Sequence, residues 1–467
     1  MALIGANGHG AWHRRRILSL GDRVRLVGLA DVRPLTPPAP DGVPVFADHR
    51  SLLAAVRPDI VVICTPPHTH LSIALDAIAA GCDILLEKPP VASLAAHRTL
   101  LAALASAGVA CQVGFQALGS EAWVRFRAAL PSLGPLSGIS AAASWKRDDD
   151  YYARSPWAGR RVLDGRPVID GALANPLAHA VMQALASASA AGAGRPRQLS
   201  VERYRTRPID VDDTAFARIT FDSGLDVVVA VTLAGEDFIA GEITASGPAG
   251  SAVLEYPTDR LSLPDSATDP ARERHPAPAP PAHADARAAA VSAAGTAAGT
   301  GTAARAGAGT AAGTGTAAGA GTAAGTAAGA GTAAGAGTGT RAGAGTGTNA
   351  GAGAGGYLAA GPAPSLIDVP GRTDLLTNLL DHRASGTPLL VPLSETIDFT
   401  TILEALTMPE LPPPHLLNSD TVEVDGPNRT ITGINAVIRA AASELALPSE
   451  LGVPWARPPI TRRLPVS

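Results

Sequence analysis

The chain has 467 residues, which is enough for two or three domains of ordinary size. Its net charge of −4 and its pI of about 6.3 argue against nucleic acid or an anionic membrane as a partner. The sequence contains no run of about 18 apolar residues and no N-terminal leader, so we expect a cytoplasmic protein without a membrane span. The three cysteines (Cys64, Cys82 and Cys111) lack metal-type spacing and are predicted to be buried thiols.

Strands and helices alternate over the first 117 residues. Apolar runs predict strands at 2–4, 24–29, 45–46, 60–64, 83–86 and 109–114, separated by helical patterns. The runs are apolar throughout, as in a parallel sheet covered by helices on both faces. We therefore predict an α/β fold whose N-terminal domain, 1–117, is a doubly wound parallel sheet of the Rossmann type.

The pattern changes after residue 118. Consecutive strands are predicted at 137–144, 199–206, 213–221, 225–233, 238–246 and 251–256, and helices at 171–190, 372–381, 394–406 and 431–445. Strands without intervening helices predict an α+β domain over 118–467 with a large, mostly antiparallel open sheet and helices on one face.

This second domain is interrupted at about 270–364. The segment is rich first in Pro and then in Ala, Gly and Thr, and it offers almost no large apolar side chain. Such a composition cannot bury enough surface to offset chain entropy, so we predict a disordered insertion without a catalytic role.

Glycines follow the first predicted strand, and an acid closes the second. Gly5, Gly8 and Gly10 open a helix and let a pyrophosphate approach the backbone, while Asp31 can bind ribose hydroxyls. Asn7 replaces the usual middle glycine, and we expect it to adopt a positive φ, which Asn tolerates. Asp31 favours NAD over NADP because a carboxylate repels a 2′-phosphate, although Arg33 keeps NADP open.

Two further motifs end neighbouring strands. Cys64-Thr65-Pro66-Pro67-His68-Thr69-His70 follows strand 60–64, and Glu87-Lys88-Pro89 follows strand 83–86. Ligands bind where parallel strands end, so both motifs should face one crevice. His68 and His70 lack a third ligand at recognisable spacing, and we predict no metal. Lys88 can lose its proton when desolvated, whereas the alternative is a surface lysine in a Pro-rich turn.

Residues of the second domain supply the remaining candidates. Asn175 and His179 are four residues apart, which predicts one helix face, and His179 is suited to proton transfer, although it could equally be a core histidine. An aromatic and arginine-rich loop should contact the substrate, unless it is only an ordered connection. Its candidate residues are Trp145, Arg147, Tyr152, Trp157, Arg160 and Arg161.

Together with the VGFQ segment that ends at Gln116, these motifs resemble the glucose–fructose oxidoreductase / inositol dehydrogenase (Gfo/Idh/MocA) family over residues 1 to about 260, and more weakly from about 371. The resemblance implies NAD(P)-dependent hydride transfer at a hydroxyl carbon of a sugar, polyol or related small molecule. It implies Lys88 at the ribose and substrate, His179 as acid/base, and Asn175 where the family has Asp. It also implies a homodimer or homotetramer. The cofactor-binding residues are then Gly5, Asn7, Gly8, His9, Gly10, Asp31, Arg33, Cys64, Thr65, Pro66, Pro67, His68, His70, Glu87, Lys88 and Gln116.

Asn175 departs from the family pattern. An amide carries no charge and cannot accept a proton, so proton transfer should depend on Lys88 and His179. Two alternatives remain open within the same resemblance. One is a glycosidase or lyase that uses retained NAD for a transient oxidation. The other is a dinucleotide-binding regulator without catalysis.

Overall fold

The computed structural model describes residues 1–264 and 365–465, and the predicted insertion at about 270–364 falls outside these ranges. Within them the strands form a six-stranded sheet, a ten-stranded sheet and two small two-stranded sheets. None of the helices in this part of the chain combines the length and apolar character needed to cross a bilayer.

The first sheet is parallel and has the strand order β3-β2-β1-β4-β5-β6. Its strands β1 to β6 are Ala2–Ile4, Gly28–Ala30, Val45–Phe46, Ile60–Ile63, Asp83–Leu86 and Cys111–Val113. The helices α1 to α5 are His9–Ser19, His49–Val56, His70–Ala79, Leu94–Ala107 and Glu121–Ala129. Every side chain of β4 and β5 is buried, as expected for strands with helices on both faces. The predicted doubly wound sheet is confirmed, and its order reverses between β1 and β4, where such sheets form a ligand crevice.

The local sequence explains where helix α4 begins and ends. Ser93 accepts a hydrogen bond from the backbone N–H of Ala96 (3.2 Å), which caps the first turn. Gly108 follows the last turn with φ +67°, the left-handed conformation that closes many helices. Helix α1, in contrast, begins after Gly8 without a capping side chain.

The second sheet has ten strands and is mostly antiparallel, as predicted. The elements from residue 138 to 262 are β7 Gly138–Lys146, α6 Asp149–Ala153, β8 Val162–Leu163, β9 Arg166–Pro167, α7 Ala178–Ala190, β10 Pro196–Arg205, β11 Thr214–Phe221, β12 Asp226–Thr232, β13 Ala234–Gly247, β14 Gly250–Glu255 and β15 Arg260–Ser262. Those after residue 365 are β16 Ile367–Asp368, α8 Leu375–Ser385, α9 Ile397–Thr407, β17 His415–Leu416, β18 Val422–Asp425, β19 Asn428–Ile431, α10 Ile434–Glu444 and β20 Ile460–Arg463. The order is β16-β15-β14-β13-β7-β12-β11-β10-β17, with β20 also on β10, and only β7–β12 and β10–β17 are parallel pairs.

Helices cover both faces of this sheet. Ala141 and Val229 pack in the same core as α7, whereas the alternate positions Ala142 and Ala230 pack with α10. Successive strand residues point to opposite faces, so α7 and α10 lie on opposite sides. The sequence had predicted helices on one face only, and α10 is therefore an addition to the predicted arrangement.

The chain after residue 365 also returns to the first sheet. Val113 N–H donates to Val391 O (2.9 Å), and Arg383 forms an ion pair with Asp83 (2.7 Å). Buried His97 of α4 contacts Leu393 O (3.0 Å). The division into domains 1–117 and 118–467 remains a prediction. Across the predicted boundary, α8 packs against strands β5 and β6, and α9 packs against helix α4.

Candidate active site

The glycines between β1 and α1 shape the start of the crevice. A Cβ on Gly5, which has φ +83°, would lie 2.3 Å from Cys64 O, and one on Gly10 would lie 1.8 Å from Gly5 O. Gly8 has φ +57° and faces open space. Gly5 and Gly10 thus allow close backbone packing, while Gly8 leaves the uncapped N-terminus of α1 accessible to an anion such as a pyrophosphate.

Asp31 lies at the end of β2 beside this glycine turn. Its carboxylate accepts hydrogen bonds from the backbone N–H groups of Asn7 (2.9 Å) and Arg33 (3.0 Å), and 7% of its side chain is exposed. The Arg33 guanidinium is 72% exposed and lies 3.8 Å from the same carboxylate. The open helix start and this acid fit the pyrophosphate and ribose of a dinucleotide.

Asn7 does not have the positive φ that we expected. In the described chain the non-glycine residues with positive φ are elsewhere, and Gly8 carries the left-handed conformation of the turn. The Asn7 side chain instead fixes the neighbouring loop: its Oδ1 accepts from Thr36 N–H (2.9 Å), and its Nδ2 donates to Pro34 O (3.2 Å). The predicted positive φ of Asn7 was wrong, because the positive φ is adopted one residue later, by Gly8.

The loop after β4 contains residues that line the crevice and one buried histidine. Cys64 and Thr65 are partly exposed at the crevice, Pro66 and His68 are exposed, and Pro67 is intermediate. His70 is fully buried: its Nε2 contacts Thr65 O (2.8 Å), and its Nδ1 contacts Pro89 O (3.0 Å). Burial lowers the pKa of His70 despite these carbonyls, which raise it. His70 therefore joins the two crevice loops through its ring.

Glu87 is buried at the end of β5 and receives several donors. Its Oε1 lies 2.8 Å from His13 Nε2 and 3.4 Å from His9 Nε2, and Gln116 Nε2 donates to it at 3.4 Å. The backbone N–H of Lys88 donates to Oε2 (3.1 Å). Burial raises the pKa of Glu87, but His9 and His13 lower it, and the net pKa is well below its usual value. Glu87 thus remains ionised and fixes the backbone at Lys88.

Lys88 contacts the turn that precedes helix α7. Its Nζ donates to the backbone O (3.1 Å) and to Oδ1 (3.3 Å) of Asn175. Asn175 lies in the turn before α7 and not on the helix, so the predicted shared helix face was wrong. Pro176 explains the difference, since a residue that precedes proline avoids helical backbone angles. Lys88, Asn175 and His179 are all partly exposed among buried neighbours, as expected of residues that line a crevice.

His179 is held in the neutral form. Burial, followed by the positive charge of Lys88, lowers the pKa of His179 to about 3. Its Nδ1 is buried and has no hydrogen-bond partner within the part of the chain that the structure describes, and the ring packs edge-on against Phe115 with centroids 5.7 Å apart. Nε2 is therefore the nitrogen that can meet a substrate, and at neutral pH the imidazole is unprotonated and able to accept a proton.

Asp170 completes this group and was not identified from the sequence. Its Oδ1 accepts from Asn175 Nδ2 (3.1 Å), and its Oδ2 accepts from Gly159 N–H (2.7 Å). Burial raises the pKa of Asp170, while the carboxylate raises the pKa of Lys88 in turn. A carboxylate thus lies behind the amide at 175. The only sequence signal for Asp170 was its position five residues before Asn175.

The predicted loop at 145–161 contains the last two residues of β7 and the whole of helix α6, so it is only partly irregular. Trp145 is buried, with its Nε1 donating to Ala240 O (2.9 Å), and Arg161 donates to Leu411 O (2.9 Å) and Met408 O (2.6 Å). Arg160 is exposed. Arg147 stacks over the Trp145 and Tyr151 rings at 5.1 and 5.2 Å. Trp145 and Arg161 therefore hold the loop in place through main-chain carbonyls.

Arg154 lies near the Lys88 group and was missed. The Arg154 guanidinium lies 3.5 Å from the centre of the Tyr151 ring and 5.1 Å from that of Trp157. Its charge lowers the pKa values of Lys88 and Asp170, which places it within electrostatic reach of both. Tyr152 packs instead under Arg207, 4.7 Å from the guanidinium. The sequence could not distinguish Arg154 from the nearby Arg147 and Arg160, because this segment has no periodic pattern.

Comparison with known proteins agrees with this geometry over the N-terminal domain. Residues 1–115 match the family GFO_IDH_MocA, described as an oxidoreductase family with an NAD-binding Rossmann fold. Inositol 2-dehydrogenase of Burkholderia multivorans (strain ATCC 17616 / 249) is 34% identical over 122 residues, 25% of this chain and 36% of that protein. D-glucoside 3-dehydrogenase of Escherichia coli (strain K12) is 44% identical over 46 residues, 10% of this chain and 13% of that protein. The matched segments thus span about a third or less of these curated relatives.

A solved structure extends the likeness to the whole fold. An NAD-binding protein from Listeria innocua superposes with a TM-score of 0.54 at 14% sequence identity, covering 87% of this chain and 95% of that chain. At this identity the superposition shows the fold alone, including the large second sheet. In residues 1–115, therefore, the chain matches the NAD-binding Rossmann domain of the oxidoreductase family GFO_IDH_MocA.

Proposed function

We propose that this protein is an NAD-dependent dehydrogenase that oxidises a hydroxyl carbon of a sugar, polyol or related compound, with NADP as an alternative cofactor. The observation that carries the proposal is the meeting of Lys88, Asn175 and His179 in the crevice next to the dinucleotide turn. The curated relatives that match part of the chain are dehydrogenases of inositol and of glucosides, which supports this substrate class.

Each residue of the group has a distinct task in this reaction. His179 is neutral and takes the hydroxyl proton through Nε2. The Lys88 ammonium, held by Asn175, stabilises the negative charge that develops on the substrate oxygen. When bound, NAD supplies the hydride acceptor.

Asn175 and Asp170 set the position and charge of Lys88. The Asn175 amide accepts from Lys88 through Oδ1 and donates to Asp170 through Nδ2, so its orientation is fixed from both sides. Burial lowers the pKa of Lys88, while Glu87 and, after it, Asp170 raise it, because a nearby carboxylate favours the ammonium form. In this way Asp170 supplies the charge that an amide at 175 lacks.

A panel of sugars and polyols tests the proposal directly. We expect Lys88→Met and His179→Gln each to lower kcat by about 10²- to 10⁴-fold, the usual range for loss of acid–base or charge-stabilising groups. The measurement is NADH formation by absorbance. Lys146→Met is the matched control, since Lys146 is exposed at the end of β7, and it should retain full turnover.

Other outcomes would select the remaining alternatives. Full turnover in Lys88→Met or His179→Gln would remove these residues from the mechanism. NAD that co-purifies and promotes glycoside cleavage without being consumed would favour transient oxidation. Dinucleotide binding without any turnover would favour a regulator.

A further inference from the structure

Two histidines and a glutamate meet at the start of helix α1. His9 and His13 are one turn apart on α1, and Glu87 follows β5. The His9 and His13 Nε2 atoms lie 3.4 and 2.8 Å from Glu87 Oε1, and all three potential ligand atoms lie within 4.8 Å of one another. Residues far apart in sequence thus present two imidazoles and one carboxylate to a single point.

We propose that His9, His13 and Glu87 form a binding site for a divalent transition metal ion of the Zn²⁺ type. Imidazole nitrogens and a carboxylate are the ligands that such ions prefer, and three protein ligands leave a fourth position open. Ligand atoms about 2.0–2.2 Å from a tetrahedral ion are roughly 3.3–3.6 Å apart. The observed separations approach this arrangement, so small side-chain movements are sufficient for binding.

The surroundings favour an ion of modest affinity. The second oxygen of Glu87 is held by Lys88 N–H (3.1 Å), which orients the carboxylate as ligands require. His13 is buried, however, and its Nδ1 has no hydrogen-bond partner among the described residues. Loss of such an outer partner weakens metal binding by about 10- to 100-fold, so we expect an affinity lower by that factor than in a site whose histidines are all supported.

Cobalt titration of the full chain, free of any polyhistidine tag and stripped of metal with a chelator, tests the site. We expect one Co²⁺ per chain with the visible absorption of a tetrahedral nitrogen and oxygen site, displaced by Zn²⁺. His9→Ala should weaken binding by at least about tenfold and abolish that absorption. His49→Ala is the matched control, because His49 pairs with Asp76 on α2 and α3 and should bind cobalt like the wild type.

The variants keep the test decisive even where folding is at risk. His9 is 23% exposed, so His9→Ala should fold with an unchanged circular dichroism spectrum, whereas Glu87→Gln alters a buried group. Absence of tetrahedral cobalt absorption in the wild type, or equal binding in folded His9→Ala, would overturn the proposal. Neither result bears on the dehydrogenase proposal, which depends on Lys88 and His179.

Discussion

In the dinucleotide crevice, the placement of side chains can be predicted from the sequence more directly than in the loop at 145–161. The crevice residues follow three strands of one parallel sheet, and topology alone brings Asp31, Cys64 and Lys88 to the same edge. In the loop, Trp145 and Arg161 bind main-chain carbonyls of distant residues. Arg154 instead binds the carbonyl of nearby Tyr151 and lies within electrostatic reach of Lys88. Regular structure determines which side chains meet, while in a loop neighbouring residues of the same type can have different surroundings.

The difference also appears in the charges. In the crevice, Glu87 and Lys88 have pKa values below their usual ones, each affected by burial and by named neighbours. In the loop, Arg147 and Arg154 stack on aromatic rings at 3.5–5.2 Å, an arrangement compatible with a charged guanidinium. We therefore expect proton and charge chemistry in the crevice, and contact with a polar ring or chain at the loop.

Among variants that leave Lys88 and His179 unchanged, the largest effect should come from the carboxylate behind Asn175. We expect Asp170→Asn to lower kcat by about 10²-fold, because it removes one of the charges that raise the pKa of Lys88 while the hydrogen bond to Asn175 can be retained. Steady-state kinetics with the best substrate of the panel would measure the change.

The reciprocal variants separate charge from shape. Asn175→Asp places a second carboxylate about 3 Å from Asp170, and like charges this close cannot both ionise, so activity should also fall. The double variant Asp170→Asn/Asn175→Asp restores one carboxylate and should recover most of the activity. A double variant as weak as the sum of both single changes would show that Asp170 has only a structural role.

Much of the fold was predictable from the sequence, because buried strands and helices require apolar residues in recognisable runs or periodic patterns. Strands β4 and β5 are buried apolar runs, and their residues were predicted almost to the boundary. Strand β2 was predicted at 24–29 but spans Gly28–Ala30, since the apolar residues before it lie outside the ladder. Helix α10 was predicted, but its place on the second face of the sheet depends on tertiary packing that no local pattern reports.

The candidate site was predictable to the extent that it follows strand ends. Lys88 and His179 were identified from the sequence. Asp170 and Arg154 were missed because they lie in irregular segments, where the spacing of residues does not predict the direction of their side chains. Even the strong Asn175–His179 spacing gave the wrong local structure, because Pro176 delays the helix to Ala178.

The loop itself yields a smaller, paired prediction. Arg154→Gln should raise KM about tenfold, because Arg154 lies within electrostatic reach of Lys88, and should lower stability by only about 1 kcal/mol, since it loses one carbonyl hydrogen bond, to Tyr151 O, and the stacking on the Tyr151 ring. Arg161→Gln should lower stability by about 2 kcal/mol with an unchanged KM, because it loses charged hydrogen bonds to two carbonyls. Urea unfolding and KM for both variants test the pair, and a raised KM in Arg161→Gln would place that side chain at the substrate instead.

The smallest expected effect concerns Asn7, where the crevice departs from the usual glycine. Asn7→Gly keeps the backbone N–H that binds Asp31 but loses the side-chain bonds to Thr36 and Pro34. We expect a stability loss of about 1 kcal/mol and a dissociation constant for NAD that rises only a few-fold, since loosening the 34–36 loop affects the ribose end indirectly. Calorimetric titration with NAD and urea unfolding would measure both. Tighter NAD binding in the glycine variant would show that the Asn7 side chain obstructs the crevice rather than supporting it.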